Sequence, residues 1–424
     1  MINILILGGG FGGIRAALDL SKRVGHKKDI KITLVDKQSS QTFFPTLYEL
    51  ASVYGVDHQH PFHTKLRGTV SIPYADIFKG KHIDLVEAEI KHINLGGKHV
   101  TTNSGSDLPF DYLIIAMGST VSTFGIPGVE EYAHKFKTLE DGLLLNDKIE
   151  DTYIAAGKKE KPLPVHILVG GAGFTGVELA AELSSCTIHI AHRHNVTENN
   201  CTAITLLEAG PTILPAISEK ERNKIKARLV RLGVNLLENS AIKEVGPDFA
   251  KLADGSVLKG DIIIWTAGVR ALDILKSIDG LELDEKGRIV VNDFMQTNHP
   301  NIFAVGDNIN FVDKKTGKSI PQMAYVAIEQ GRVAAENVSR LATSKRQNGG
   351  EASLKKYDPH LDVWIAPVGG KNAVVHIGGW GRFDGFLGYL VRQLVDLRYF
   401  LSVLPFFKGF KLFLEDTRIF VKND

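Results

Sequence analysis

Two glycine-rich turns of one design, set far apart, constrain this chain more than any other feature. The first is Ile4-Leu5-Ile6-Leu7-Gly8-Gly9-Gly10-Phe11-Gly12-Gly13; the second is His166-Ile167-Leu168-Val169-Gly170-Gly171-Ala172-Gly173-Phe174-Thr175-Gly176. Each follows a short aliphatic run that reads as a buried parallel strand, and each leads into helical periodicity. Glycines in such a turn let the backbone approach a pyrophosphate, which rests on the free N–H groups of the helix start. One turn accommodates one dinucleotide. Two suggest that electrons pass from one bound dinucleotide to another.

The context of each turn supports that reading over a merely tight strand-to-helix connection. Gly8, Gly10 and Gly13 precede the helical run Ile14–Leu18, and the next strand, Ile30–Val35, ends in Asp36. Gly171, Gly173 and Gly176 lead into Val177–Leu183, and Ile204–Leu207 ends in Glu208. Both acids stand where a carboxylate accepts hydrogen bonds from a ribose hydroxyl, and Glu208 would repel the extra phosphate of NADPH, which favours NADH. The longer second spacing reads as a polar surface insertion between Cys186 and Cys201.

With 424 residues the chain can build two or three domains with full cores. Its 50 Lys+Arg nearly balance 48 Asp+Glu, so no nucleic-acid partner is expected. Met1-Ile2-Asn3 runs straight into the first strand without a leader pattern, so a cytoplasmic-facing protein is expected. The only two cysteines, Cys186 and Cys201, form neither a disulfide framework nor a closely spaced redox pair, which removes disulfide-reductase chemistry. Cys186, His189, His192, His194 and Cys201 cluster in sequence, but their spacing fits no compact zinc pattern, and no metal is expected.

The pattern predicts an α/β protein with two Rossmann-like dinucleotide-binding domains, the second inserted in the first, and a C-terminal amphipathic membrane-docking region. The first domain takes residues 1–125 and 293–345, the second 126–292, and the C-terminal region 346–424. Gln347-Asn348-Gly349-Gly350 reads as a flexible joint. The run Phe386–Leu401 and the segment Phe406–Leu414 are apolar but broken by charges, too short for the ~20 residues of a membrane span and suited to a helix lying in the interface. A core helix or a homodimer contact has the same appearance.

The motifs together resemble the type II NADH:quinone oxidoreductases, the non-proton-pumping NADH dehydrogenases of respiratory electron transport. The carriers are Gly8–Gly13 with Asp36, Phe43–Glu49, Ala116-Met117-Gly118, Gly171–Glu178, Glu208–Pro215, Thr266–Val269 and Ala304–Asp307. The resemblance implies FAD on Gly8, Gly10, Phe11, Gly12, Gly13, Asp36 and Lys37, with Ala116, Gly118, Gly306, Asp307 and Ala324 around it. It implies NADH on Gly171, Gly173, Gly176, Glu178, Glu208 and Gly268. The implied reaction is hydride transfer from NADH to FAD, then two electrons to a membrane quinone without proton pumping, by a peripheral protein on the cytoplasmic face of the membrane. Glu178 would help to place NADH and couple it to the acceptor, although an acid in the first helical turn is also favoured by the helix dipole alone.

One departure concerns the acceptor. Family members carry two glutamines in an AQxAxQ pattern on the helix after the Gly-Asp motif; here Tyr325 and Glu329 take those positions. Four apart, they share a helix face, and burial near an apolar acceptor would raise the pKa of Glu329 toward proton donation. Sulfide:quinone oxidoreductases share the fold and the membrane tail but need cysteines beside the flavin. A soluble NADH:acceptor flavin reductase would not need the C-terminal region, and a flavin-binding membrane regulatory module would not need both cofactor sets.

Overall fold

The computed structural model describes residues 1–53, 67–68, 70–198, 200–344, 353–379 and 381–423, with backbone only at 419–423. The first sheet begins with β1 (Ile2–Leu7), β2 (Ile30–Asp36), β3 (Asp84–Glu87) and β4 (Tyr112–Ile115). The chain then builds a second sheet from β5 (His134–Lys135), β6 (Val165–Gly170), β7 (Thr202–Leu207), β8 (Asn235–Leu237) and β9 (Ile262–Trp265). It returns as β10 (Ile302–Ala304), which pairs with β4, Ile302 opposite Leu113. The strand orders are β10-β4-β1-β2-β3 and β5-β9-β6-β7-β8, parallel throughout. Continuous aliphatic runs such as Ile4–Leu7 and Ile262–Ile264 suit strands covered on both faces.

Because β10 completes a sheet begun by β1–β4, the second unit is inserted in the first. The outgoing and returning chains pair antiparallel, Thr120 with Arg270 and Val121 with Val269. Ala271, Leu275, Ile278, Leu281 and Ile289 are buried in the core of the first unit. The return therefore lies near residue 270, earlier than the expected boundary at 292/293.

The principal helices are α1 (Phe11–Val24), α2 (Leu47–Ser52), α3 (Leu139–Gly157), α4 (Phe174–Arg193), α5 (Glu219–Arg231), α6 (Ala324–Ser344), α7 (Gly385–Val403) and α8 (Phe406–Asn423). Helices α1 and α6 touch backbone to backbone: a Cβ on Gly331 would lie 2.4 Å from the Gly12 carbonyl oxygen. The stretch read as an insertion after Cys186 instead continues α4 to Arg193, with Cys186, Ile190 and Ala191 buried in the second unit's core. Its apolar positions recur every three to four residues, which sustains the helix.

After the expected joint, which lies outside the described residues, comes a small antiparallel sheet of β11 (Val363–Pro367), β12 (Ala373–Ile377) and β13 (Gly381–Phe383). Helix α7 then inverts the usual pattern. It buries Arg392, Gln393 and Asp396 and exposes Phe386, Leu387, Leu390, Leu394 and Val395. Helix α8 exposes Phe406, Phe407, Phe410 and Leu414 while burying Asp416. Tyr399 secures α7 to the first unit: its ring meets Phe11 at 5.1 Å and Phe43 at 5.2 Å, and its hydroxyl exchanges hydrogen bonds with the Gln41 amide. No helix among the described residues is long and apolar enough to cross a membrane.

Candidate active site

The two glycine turns have the same geometry. Gly8 sits at φ +101° and Gly171 at φ +104°, the left-handed region that favours glycine. A Cβ on Gly13 would fall 1.8 Å from the Gly8 oxygen, and one on Gly176 would fall 1.9 Å from the Gly171 oxygen. Those positions seat helix against strand. Gly10 and Gly173 differ: beyond their chain neighbours, nothing among the described residues lies within 4 Å of a Cβ built there. Each N-caps its helix without a side-chain hydrogen bond, which leaves the first N–H groups free for an anion.

The strand-end acids also match. Asp36 accepts from Gly9 N at 2.5 Å and Gln38 N at 2.8 Å, while Glu208 accepts from Ala172 N at 2.9 Å and Gly210 N at 2.8 Å. Both carboxylates are thus fixed over the turn by backbone donors. An open middle glycine, free helix N–H groups and a fixed acid make each turn fit for a dinucleotide.

Between the units lies a cavity of about 530 Å³. Gly8, Gly10, Phe11, Gly12, Asp36, Ala116, Gly118, Gly306, Asp307 and Ala324 line it from the first unit, and Glu178 and Gly268 from the second, with Phe174 and Thr175 beside them. Gly13 supports the turn from behind. Lys37 is exposed and outside the lining. Gly171, Gly173, Gly176 and Glu208 also lie outside it.

Several residues enter that sequence reasoning missed. Asp307 accepts from Ser119 Oγ at 2.8 Å and lies 3.5 Å from Lys137 Nζ, which donates to Ser119 Oγ at 2.6 Å. Burial lowers the pKa of Lys137, and Asp307 opposes that shift. Tyr74 donates to the Gly9 oxygen at 3.0 Å, and the Gly306 N–H donates to Gln330 Oε1 at 2.8 Å. Lys137 immediately precedes the capping box of α3, Thr138 with Asp141; that local signal marks a helix start and gives no hint of a cavity.

Glu178, one turn into α4, projects to the cavity wall, and burial pushes its pKa up to about 8 against the pull of Arg392. Tyr325 and Glu329 do not reach that wall. Tyr325 is half-buried near Tyr357 and Asp362, and its hydroxyl has no hydrogen-bond partner among the described residues. Glu329 is exposed and pairs with Arg332 at 2.6 Å. Helix α6 turns Ala324 and Ala327 to the cavity, and the next residue round lies ~100° away. The burial expected to make Glu329 a proton donor is absent.

The chain matches the family model for pyridine nucleotide-disulphide oxidoreductases over residues 2–331. It is 30% identical over 373 residues to the type II NADH:quinone oxidoreductase of Haemophilus influenzae, covering 81% of this chain and 82% of that protein. Its fold is similar to the NDH2 of Plasmodium falciparum solved with RYL-552, at TM-score 0.79 and 18% identity over 98% of this chain and 97% of that one. It is also similar to the sulfide:quinone oxidoreductase of Aquifex aeolicus, at TM-score 0.72 and 19% identity over 95% and 91%. These two likenesses speak for the fold alone.

Proposed function

The chain belongs to the type II NADH:quinone oxidoreductases, within the pyridine nucleotide-disulphide oxidoreductase family, and from that premise we propose how its residues divide the work. The observation that carries the reading is the pair of equivalent glycine turns flanking one shared cavity. Gly8, Gly10, Gly12, Asp36, Gly118 and Asp307 would hold FAD, and bound FAD supplies the two-electron redox chemistry that no side chain of the cavity can provide. Gly173, the start of α4 and Glu208 would hold NADH, with Gly268 and Glu178 bordering its reactive end. The protein's task is to align two planar groups and exclude water between them.

The acceptor, a quinone, would enter along the apolar wall of Phe44, Leu47 and Tyr48, which line the cavity. Arg392 of α7 donates to the Pro45 oxygen at 3.3 Å, so this wall abuts the helix whose outer face is apolar. An inside-out helix pair of that kind suits a lipid surface, and the need for NADH puts the docked protein on the cytoplasmic face. Sedimentation with lipid vesicles tests the docking; a homodimer closed over the same face would leave the protein in the supernatant. The sulfide:quinone alternative is disfavoured by position, because both cysteines are buried in the second unit's core and neither lines the cavity.

The test is a sequential rapid-mixing experiment in which NADH bleaches the flavin and a short-chain quinone restores its colour. Failure to bleach with NADH would sink the reading; bleaching without recovery would remove quinone as the acceptor. Two variants extend it. Glu208→Gln loses a charged acceptor and should raise the KM for NADH about ten- to a hundredfold while narrowing the preference over NADPH, read from steady-state rates with both. If Glu178 donates a proton, quinone turnover should fall as pH rises through about 8, and Glu178→Gln should flatten that limb. An unaltered pH profile would leave Glu178 a placement residue only.

A further inference from the structure

Three carboxyl groups and one ammonium line the cavity between the units: Asp36, Glu178 and Asp307 against Lys137. Lys137 is the only lysine or arginine among the described residues of that wall. Arg392 stands behind it, paired with Glu49 and Asp396. The phenols Tyr48 and Tyr74 also line the cavity, and burial raises the pKa of each, so both stay neutral. Glu178, with its pKa pushed up to about 8, is mostly protonated at neutral pH.

Lys137 belongs to the inserted unit, just after β5 (His134–Lys135), but its partners belong to the first unit. Its Nζ donates to Ser119 Oγ at 2.6 Å, lies 3.5 Å from Asp307 Oδ2, and sits 5.7 Å from the centre of the Phe44 ring. Ser119 Oγ donates in turn to Asp307 Oδ2 at 2.8 Å, which turns its lone pairs toward the ammonium. Ser119 follows Gly118, and Asp307 follows Gly306, so the charge is fixed to the wall assigned to FAD. Burial lowers the pKa of Lys137 despite Asp307. Its present partners therefore do not fully offset the loss of water, and a further negative charge beside it would be stabilised.

Hydride transfer supplies such a charge. A C–H bond of the nicotinamide breaks with both its electrons, and an N–H bond forms on the flavin. The nicotinamide is left a cation and the flavin an anion until a proton arrives. We propose that Lys137 is the cation that holds this negative charge, stabilising the anionic reduced flavin and raising the two-electron potential of the bound cofactor. It rests on the assignment of FAD to the first turn. A charge set in place beforehand acts as the negative charge develops, with no solvent to reorganise.

The experiment measures the midpoint potential of the bound flavin, by equilibration with a reference dye, in wild type, Lys137→Met and Lys137→Arg. Methionine keeps an unbranched apolar stem and drops the charge, whereas arginine keeps the charge. Lys137→Met should weaken the reduced state about tenfold, a fall of about 30 mV for a two-electron couple, while Lys137→Arg stays near the parent. An unchanged potential in Lys137→Met overturns the proposal, because losing a merely structural tether would lower flavin retention or melting temperature without moving the couple. An equal fall in both variants assigns the effect to geometry and overturns it too. Wild type reduced with dithionite at mildly acid pH, where free reduced flavin is neutral, gives a readout independent of variant folding. The absorbance of the anionic form is expected there, and that of the neutral form overturns the proposal. A wild type that binds no FAD fails the underlying assignment instead.

Discussion

Gly13→Val is expected to purify without flavin and to melt below the parent. The first added carbon would stand 1.8 Å from the Gly8 oxygen. Gly8 cannot yield, because it is held at φ +101° with its own Cβ position 2.4 Å from the Ala116 oxygen. Helix α1 must therefore lift from β1, an overpacking cost of about 1–3 kcal/mol, and the N–H groups of the turn lose their common aim. Gly10→Val is the contrast, since beyond its chain neighbours nothing among the described residues lies within 4 Å of its Cβ position. Its flavin-free form should stay within about 0.5 kcal/mol of the flavin-free parent, while flavin retention still falls because the side chain occupies ligand space. Flavin absorbance per protein and melting of flavin-stripped samples decide the matter. A fully loaded Gly13→Val, or an early-melting Gly10→Val, would mean that the two glycines do not divide into a packing and a contact position.

Arg392→Met should cost stability that depends on pH. Its guanidinium is the partner of Glu49 and Asp396 in a buried site, and stripping one member of a buried ion pair typically costs about 3–5 kcal/mol. The sign follows from the carboxyls. Burial raises Asp396 to about 6 and lifts Glu49 well above the usual carboxylate range, with Arg392 pulling both down. At acid pH both carry protons in the folded protein with or without Arg392, so the deficit is small. As pH rises through about 6 the parent ionises against its guanidinium while the variant retains its protons, and the deficit opens. Denaturant midpoints across the acid-to-alkaline range measure this. A deficit that ignores pH would assign the effect to lost packing.

The glycine turns and the acids at Asp36 and Glu208 were legible because they encode local geometry: a positive φ, a close helix–strand contact, and a carboxylate at a fixed distance along the chain. Lys37 lies outside the cavity lining, since the residue after Asp36 turns outward. Lys137, Ser119 and Gln330 were invisible, because they meet Asp307 and Gly306 only once the inserted unit and α6 fold against the first sheet. Tyr325 and Glu329 do lie on one side of α6, both beside Tyr357. The Gly331–Gly12 contact and the alanines at 324 and 327 turn the neighbouring face to the cavity.

The C-terminal helices mark the boundary between the two kinds of information. Their mixture of apolar and charged residues announced two unlike faces and suited a helix lying in a membrane interface. In the folded protein Arg392 and Asp396 are inside, with Arg392 paired to Glu49 and Asp396, and phenylalanines and leucines such as Phe386 and Leu394 are outside. The sequence alone determined the two-unit α/β plan, both dinucleotide turns and the family. The tertiary structure decided where the inserted unit returns, which side chains meet in the cavity and which helix face is buried. Periodicity states only that two faces differ, and the neighbours available for pairing and burial settle which one turns inward.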